Sequence, residues 1–332
     1  MGLTFAYAPG NAYYSLVVAE DTAGYLTQRV LRVIGVLRIC WADRTGSGPV
    51  SPALRARLRP TGGSTCVSFP MLRLAAYQFD ASLGEVRYNL DRIAHILADL
   101  EPGQVDMLAF PEMCDTGYAM DVIAERAVAW DGDHLRPLAA LAREKRTVVL
   151  IGLSERHEGR IHNAVAVIGK DGALVYKYRK THLVTIAPIH EERTITPGNA
   201  LGYFELDGLA CGLLTCYELR FPEIARALTL RGVRLLFVPT AWPLARLDHL
   251  LTLTRARAIE NQVFVVLASR SGTDAGTTFS GNSLIVSPTG EILRQADTTG
   301  EAILRVTVDP DAVDTARRQI AALSERRPDL YL

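Results

Sequence analysis

From Met71 onward, short apolar runs of strand length alternate with stretches whose apolar residues recur at helical spacing. That alternation limits the fold more than any other feature of the chain. The segments 72–79, 106–110, 148–153, 209–215, 235–238 and 263–268 are brief and almost continuously apolar, which predicts strands covered on both faces. Between them, Leu90, Ile93, Leu97 and Leu100 share one face of a helix predicted over 85–100. Further helices are predicted over 134–145, 222–231 and 247–260, with Pro222 suited to a first turn, where its missing N–H costs nothing. The runs 163–168 and 173–178 flank Lys170-Asp171-Gly172, a hairpin signal, and 283–286 and 301–308 read as further antiparallel strands. Strands alternating with helices, with hairpins added, predict an α/β fold with mixed sheets. Residues 71–332 contain no linker, repeat or low-complexity tract and are read as one domain.

Residues 1–70 differ. They hold seven arginines, no lysine and three acidic residues, with Gly/Pro/Ser clusters at 46–52 and 60–63 and little periodicity beyond a short element near 30–39. They are expected to be a poorly ordered N-terminal extension, either sequence upstream of a start at Met71 or a small cap. Over the whole chain 36 Lys+Arg balance 36 Asp+Glu, leaving no global field to draw nucleic acid or an anionic membrane. No apolar run nears the ~20 residues of a membrane-spanning helix, and the N-terminus has no signal-peptide pattern. A cytoplasmic protein with neither a nucleic-acid nor a membrane partner is therefore expected. The five cysteines (Cys40, Cys66, Cys114, Cys211, Cys216) form no CxxC and no zinc spacing, which suits a reduced compartment and predicts no metal site. With HExxH also absent, a metal hydrolase is disfavoured.

Three segments share one placement: a reactive polar side chain directly after an apolar strand. These are Glu112 after Met107–Pro111, Lys180 after Val175–Arg179, and Cys216 after Gly212–Thr215. Ligands of open α/β sheets bind beyond the carboxyl ends of strands, so such residues can meet in one cleft. A thiol needs a base before it becomes a good nucleophile, and a carboxylate can take its proton. An enclosed carboxylate has a raised pKa, fitting a group that accepts and returns protons near neutrality. An ammonium stabilises the oxyanion formed when sulfur attacks a carbonyl, and the Tyr217 N–H, next after the cysteine, offers a second donor. Glu, Lys and Cys would thus suffice for acyl transfer through a thioester. Singly, each also admits a plainer role: Glu112 as a loop acid, Lys180 as a surface cation, Cys216 as core packing. Only four of the basic residues are lysines (Lys145, Lys170, Lys177, Lys180), so a retained lysine can mark a place arginine cannot fill.

Phe110-Pro111-Glu112, Tyr178-Arg179-Lys180-Thr181-His182-Leu183 and Cys216-Tyr217-Glu218-Leu219-Arg220-Phe221-Pro222-Glu223 resemble, in order, the three signature blocks of the nitrilase superfamily of carbon–nitrogen hydrolases. Thr196-Pro197-Gly198, the segment 255–262 and Arg326–Tyr331 are similar to flanking blocks, the last to the tail of omega-amidase-type members. The resemblance covers 71–332 and none of 1–70. It implies a four-layer α-β-β-α sandwich with two mixed β-sheets, assembled as a homodimer or higher homo-oligomer, with no cofactor and no metal. It implies Glu112 as general base and acid, Lys180 as oxyanion stabiliser and Cys216 as nucleophile. Many members add a second glutamate, which Glu191 or its neighbour Glu192 would supply; the segment 184–189 departs from the expected pattern.

Nitrile-hydrolysing members carry Trp after the cysteine, whereas this chain has Tyr217 and then Glu218, which favours amides. The Arg-Phe-Pro-Glu continuation is similar to the omega-amidase and aliphatic amidase branches. The expected activity is hydrolysis of a small linear amide to a carboxylic acid and ammonia. The alternatives are a nitrilase, an N-carbamoyl hydrolase or a non-catalytic interaction homologue. Phe110, Tyr118, Tyr217 and Trp242 are candidates for an aromatic pocket.

Overall fold

The computed structural model describes residues 68–130 and 134–331, so the expected extension lies outside the described residues except for its last three positions. Those three already belong to the packed domain: Ser68 Oγ donates to Asp311 (2.8 Å), and Phe69 packs on the core between the sheets.

Two six-stranded sheets face each other. The first comprises β1 (Leu72–Gln78), β2 (Met107–Ala109), β3 (Val148–His157), β4 (Arg160–Ile168), β5 (Leu174–Arg179) and β14 (Ala302–Val308), in the order β14-β1-β2-β3-β4-β5. The second comprises β6 (Gly202–Leu206), β7 (Leu209–Leu213), β8 (Leu235–Thr240), β9 (Phe264–Ser269), β12 (Leu284–Val286) and β13 (Ile292–Gln295), in the order β13-β12-β9-β8-β7-β6. The central strands β1, β2 and β3 run parallel, as do β7, β8 and β9, while the flanking pairs are antiparallel. A two-residue hairpin, β10 (Thr273–Asp274) and β11 (Thr277–Thr278), stands apart.

The pleat explains the continuous apolar runs. In β1, Leu74 and Ala76 point into the core between the sheets, while Ala75 points at helices α1 (Val86–Ala98) and α3 (Arg136–Lys145). In β8, Leu235 and Phe237 join the inter-sheet core; Leu236 and Val238 meet the layer of α4 (Pro222–Thr229) and α5 (Leu247–Asn261). With α2 (Met120–Arg126) and α6 (Ala312–Gln319) at the periphery, the order of layers is α-β-β-α.

The predicted strand 148–153 runs on to His157 and turns through Glu158-Gly159, both at positive φ, into β4. The strand predicted to reach Thr215 ends at Leu213, because Leu214 and Thr215 already leave the sheet for the cysteine turn. Strands β6 and β13, the β10–β11 hairpin and helices α2 and α6 were not predicted. They are short and only partly buried; α2 buries only Ile123, and α6 only Val313 and Ala316. Among the described residues no helix is long and apolar enough to cross a membrane.

Candidate active site

Glu112 follows the end of β2, Lys180 the end of β5 and Cys216 the end of β7. All three strand ends lie on one side of the molecule: β5 runs in the same direction as β3, β2 and β1, and the parallel bridge Phe79–Arg270 gives β9, and with it β8 and β7, that direction too. The expected convergence is therefore set by strand direction. The loop carrying Glu112 lies flat on β3 because residue 152 is glycine: a Cβ there would come within 2.4 Å of Pro111 O and 2.6 Å of Glu112 Cα. Main-chain bonds use that closeness, Gly152 N–H to Pro111 O at 3.0 Å and Cys114 N–H to Gly152 O at 2.8 Å.

Lys180 has no exposed surface, which removes the reading of it as a surface cation. Its ammonium donates to Glu112 Oε1 and to both oxygens of Glu191, each at 2.9 Å. Of the two candidate second glutamates, Glu191 is the buried one; Glu192 is exposed beside His190. Glu191 also accepts the Tyr118 hydroxyl (2.7 Å) and the Val184 N–H (2.8 Å). The second oxygen of Glu112 accepts the Ala241 N–H (2.8 Å) from beyond β8, so this carboxylate joins the two sheets. Asn163 in β4 donates to Glu112 (2.6 Å) and Glu191 (3.2 Å).

Cys216 sits at φ +48°, a left-handed conformation uncommon for a non-glycine residue, and it opens the turn Cys216–Arg220 at a sharp strand-to-turn corner. Its side chain lines a cavity of about 50 Å³ with Tyr118, Tyr217, Arg220, Trp242 and Arg246. Two roomier grooves, about 830 Å³ along β5 and about 380 Å³ at the opposite end of the strands, contain none of the three residues. Tyr217 follows the cysteine at the start of this turn, where the N–H groups of a helical turn have no internal partner. Three of the four expected pocket aromatics line the cavity. Phe110 does not: it is fully buried under the helical layer, stacked on Tyr77 at 5.5 Å, because its side chain points to the α1/α3 side of β2.

The electrostatics follow from burial and an uneven charge count. Burial works against the Lys180 ammonium, but the carboxylates of Glu112 and Glu191 outweigh it and hold its pKa above the usual lysine value. Burial pushes Glu112 up from the ordinary carboxylate range, with Lys180 opposing. Burial and then Glu112 push the Cys216 thiol up, again with Lys180 opposing. Lys180 is shared between two carboxylates, so its pull on the sulfur only partly offsets burial and Glu112, and the thiol form of Cys216 is favoured. The resting state thus differs from a thiolate–ammonium pair.

Sequence reasoning missed Glu218. It has no exposed surface and accepts the Tyr178 hydroxyl (2.7 and 2.8 Å), the Thr181 N–H (2.7 Å) and hydroxyl (2.6 Å), and the Thr215 N–H (2.7 Å). It therefore ties the segment bearing Lys180 to the turn bearing Cys216. Burial alone would raise its pKa; hydrogen bonds from His182, Thr181, Tyr178 and the Thr215 N–H overturn this and hold it below the usual value. A signal existed in its place two residues after the cysteine. Asn163 was signalled only as the amide that opens the apolar run 163–168. The Ala241 N–H, a main-chain group, leaves no mark in a sequence. Among the described residues no group of three His, Cys, Asp or Glu side chains is arranged to hold a metal ion.

The profile of the family described as carbon-nitrogen hydrolase matches residues 73–318. The chain is 34% identical over 260 residues to a 2-oxoglutaramate amidase of Bacillus subtilis (strain 168), covering 78% of this chain and 98% of that one. It is 32% identical over 267 residues to omega-amidase NIT2 of Bos taurus, covering 78% and 96%. Among solved structures it is similar to a mutant amidase from Nesterenkonia sp. AN1 (TM-score 0.68, 25% identity, 78% and 95% covered), in which the acetamide moiety of fluoroacetamide is covalently added at the active-site cysteine. With both sheets, the four layers and the matched span in agreement, this chain belongs to the carbon–nitrogen hydrolase family.

Proposed function

We propose that the protein hydrolyses the terminal amide of a small linear acid, releasing ammonia, through a thioester on Cys216. The observation that carries this reading is one ammonium, Lys180, bonded at 2.9 Å to both Glu112 and Glu191 beside the cavity that the Cys216 side chain lines. Glu112 takes the thiol proton as sulfur attacks the amide carbon. The oxyanion that develops meets the Lys180 ammonium and the Tyr217 N–H, which offset the negative charge that makes the thiolate costly at rest. Glu112 then gives its proton to the departing nitrogen, ammonia leaves, and the thioester remains. Water enters, Glu112 accepts one of its protons, and collapse of the second tetrahedral adduct frees the acid and restores the thiol. Glu191, with Tyr118 and the Val184 N–H, holds the ammonium in place.

The cavity also supplies a reason for an acidic substrate. Arg220 and Arg246 line it, and neither forms an ion pair with a carboxylate among the described residues; Arg220 lies over the Trp242 ring at 4.6 Å. Two guanidinium groups at the mouth suit a carboxylate at the end of the substrate remote from the amide. The relatives' printed names, 2-oxoglutaramate amidase and omega-amidase, support that substrate class. A cytoplasmic homodimer or higher homo-oligomer completes the proposal, and sedimentation velocity tests the assembly.

Ammonia release is to be measured on glutaramate-like amides, neutral aliphatic amides, nitriles and N-carbamoyl amino acids, with Cys216→Ala as control. Preference for the acid amides, lost in Arg220→Ala, is expected. Turnover of nitriles or carbamoyl compounds alone overturns the amidase reading, and no turnover with no acyl adduct on Cys216 favours a non-catalytic homologue.

A further inference from the structure

Thr240 ends β8, the parallel neighbour of β7. The register pairs Leu213 with Phe237, and the Leu214 N–H bonds Phe237 O at 3.0 Å. Beyond that bond the chain leaves the sheet, and the turn that Cys216 opens packs against β8, which Thr240 ends. Thr240 is fully buried, its main-chain carbonyl accepts the Arg270 N–H (2.9 Å), and the next N–H, from Ala241, holds Glu112. Its hydroxyl lies near enough to the Cys216 sulfur to influence it, yet meets no partner at full hydrogen-bond geometry in the resting molecule. A buried hydroxyl without a partner is rare and asks what it is for.

We propose that Thr240 is a positioning residue whose hydroxyl donates to the Cys216 sulfur only when the thiol gives up its proton, so that the thiolate gains a bond the thiol lacks. A donor that finds its acceptor only as charge develops lowers the barrier without stabilising the ground state. The direction of its influence agrees: the Thr240 hydroxyl pulls the Cys216 pKa down, against burial. The other charged or titratable groups facing the sulfur are Glu112, Lys180 and Glu191 from the loops, Tyr118 from the segment before α2, and Arg220 and Tyr217 from its own turn. None of these changes when residue 240 is replaced. The proposal rests on Cys216 being the nucleophile, and its test is chosen not to depend on which amide is hydrolysed.

The experiment compares Thr240→Val, which keeps the shape and removes the hydroxyl, with Thr240→Ser, which keeps the hydroxyl. Iodoacetamide labelling of Cys216 is followed between pH 6 and 9 by peptide mass spectrometry on the full chain, and thermal unfolding checks that each variant folds. Labelling follows the thiolate fraction, so a curve displaced toward higher pH gives a lower rate at every pH. Thr240→Val should label on the order of 10-fold more slowly, in line with the lower end of what one lost oxyanion donor costs, and Thr240→Ser should stay within about threefold of wild type. On an accepted amide, Thr240→Val should lower kcat and leave KM unchanged. Wild-type labelling in Thr240→Val overturns the proposal. So does equal slowing in Thr240→Ser, which would assign the effect to packing of the methyl group. Amide inactivity of the wild type with the expected labelling pattern would refute the proposed function while leaving this inference standing.

Discussion

Replacing Glu218 by glutamine tests how the two halves of the site are held together. The side chains are almost isosteric, but the carboxylate accepts hydrogen bonds on both oxygens and the amide offers only one acceptor. If the amide oxygen takes the Thr181 side, the NH₂ group confronts the Thr215 N–H, which now bonds Glu218 at 2.7 Å. If it is turned the other way, the Thr181 N–H and hydroxyl, at 2.7 and 2.6 Å, lose their acceptor. The first choice leaves one buried donor unpaired, at about 1–3 kcal/mol, and removes the charge that strengthens the remaining bonds. Destabilisation of about 2–4 kcal/mol is expected in urea unfolding at pH 7. The turn bearing Cys216 and the segment bearing Lys180 would also shift relative to each other, and a displacement of about 1 Å at reacting groups costs ~10²-fold in rate. Because the Glu218 pKa is held below its unfolded value, the stability it contributes is complete above about pH 4.3 and is lost as the pH falls through the folded value. The gap between wild type and Glu218→Gln should therefore be widest near neutrality and close below about pH 4. A variant within about 0.5 kcal/mol of wild type at pH 7, with unchanged kcat, would refute the tether.

Lys180→Arg keeps the charge but substitutes a planar fork for a compact ammonium shared by two carboxylates, and activity should fall by at least ~10²-fold in steady-state assays. Gly152→Ala places a Cβ against Pro111 O and the Glu112 backbone; thermal unfolding should show a loss of about 1–3 kcal/mol, with kcat reduced more than KM is raised. Deleting residues 1–67, and retaining Ser68 and Phe69 because they bond and pack against the domain, should leave the melting temperature and turnover unchanged. Insoluble protein would show that the segment belongs to the fold.

Central strands were legible because burial on both faces makes a run of apolar residues that few helices would show, and β1, β2, β8 and β9 fall within a residue or two of their expected spans. The edge strands of the second sheet were not, although β5 and β14, the edges of the first, fall close to the predicted 173–178 and 301–308. Strand β6 carries Gly202 and Glu205, and β13 is largely exposed, so neither bears the mark of burial. Which sheet each strand joins is set by contacts far apart in the chain, and the layered arrangement came from the resemblance alone. In the site, Glu112 and Cys216 stood out because each ends an apolar run, whereas Lys180 follows the partly polar β5 and stood out as one of only four lysines. Phe110 was misassigned for the converse reason: close to Glu112 in sequence, it still follows the pleat of β2 and shares the helical side with Leu108. Glu191 became distinguishable from Glu192 only through burial, a property of the folded loop.

The uneven charge beside the cysteine bears on the hazards this sulfur meets when no substrate is present. Peroxides and electrophiles attack the thiolate, seldom the thiol. Burial and Glu112 hold the Cys216 thiol above its usual pKa, and Lys180, shared between two carboxylates, offsets this only in part. On the proposed mechanism, a thiol held above its usual pKa would be less open to oxidation in an empty site, and the substrate's own carbonyl would be what arms the sulfur.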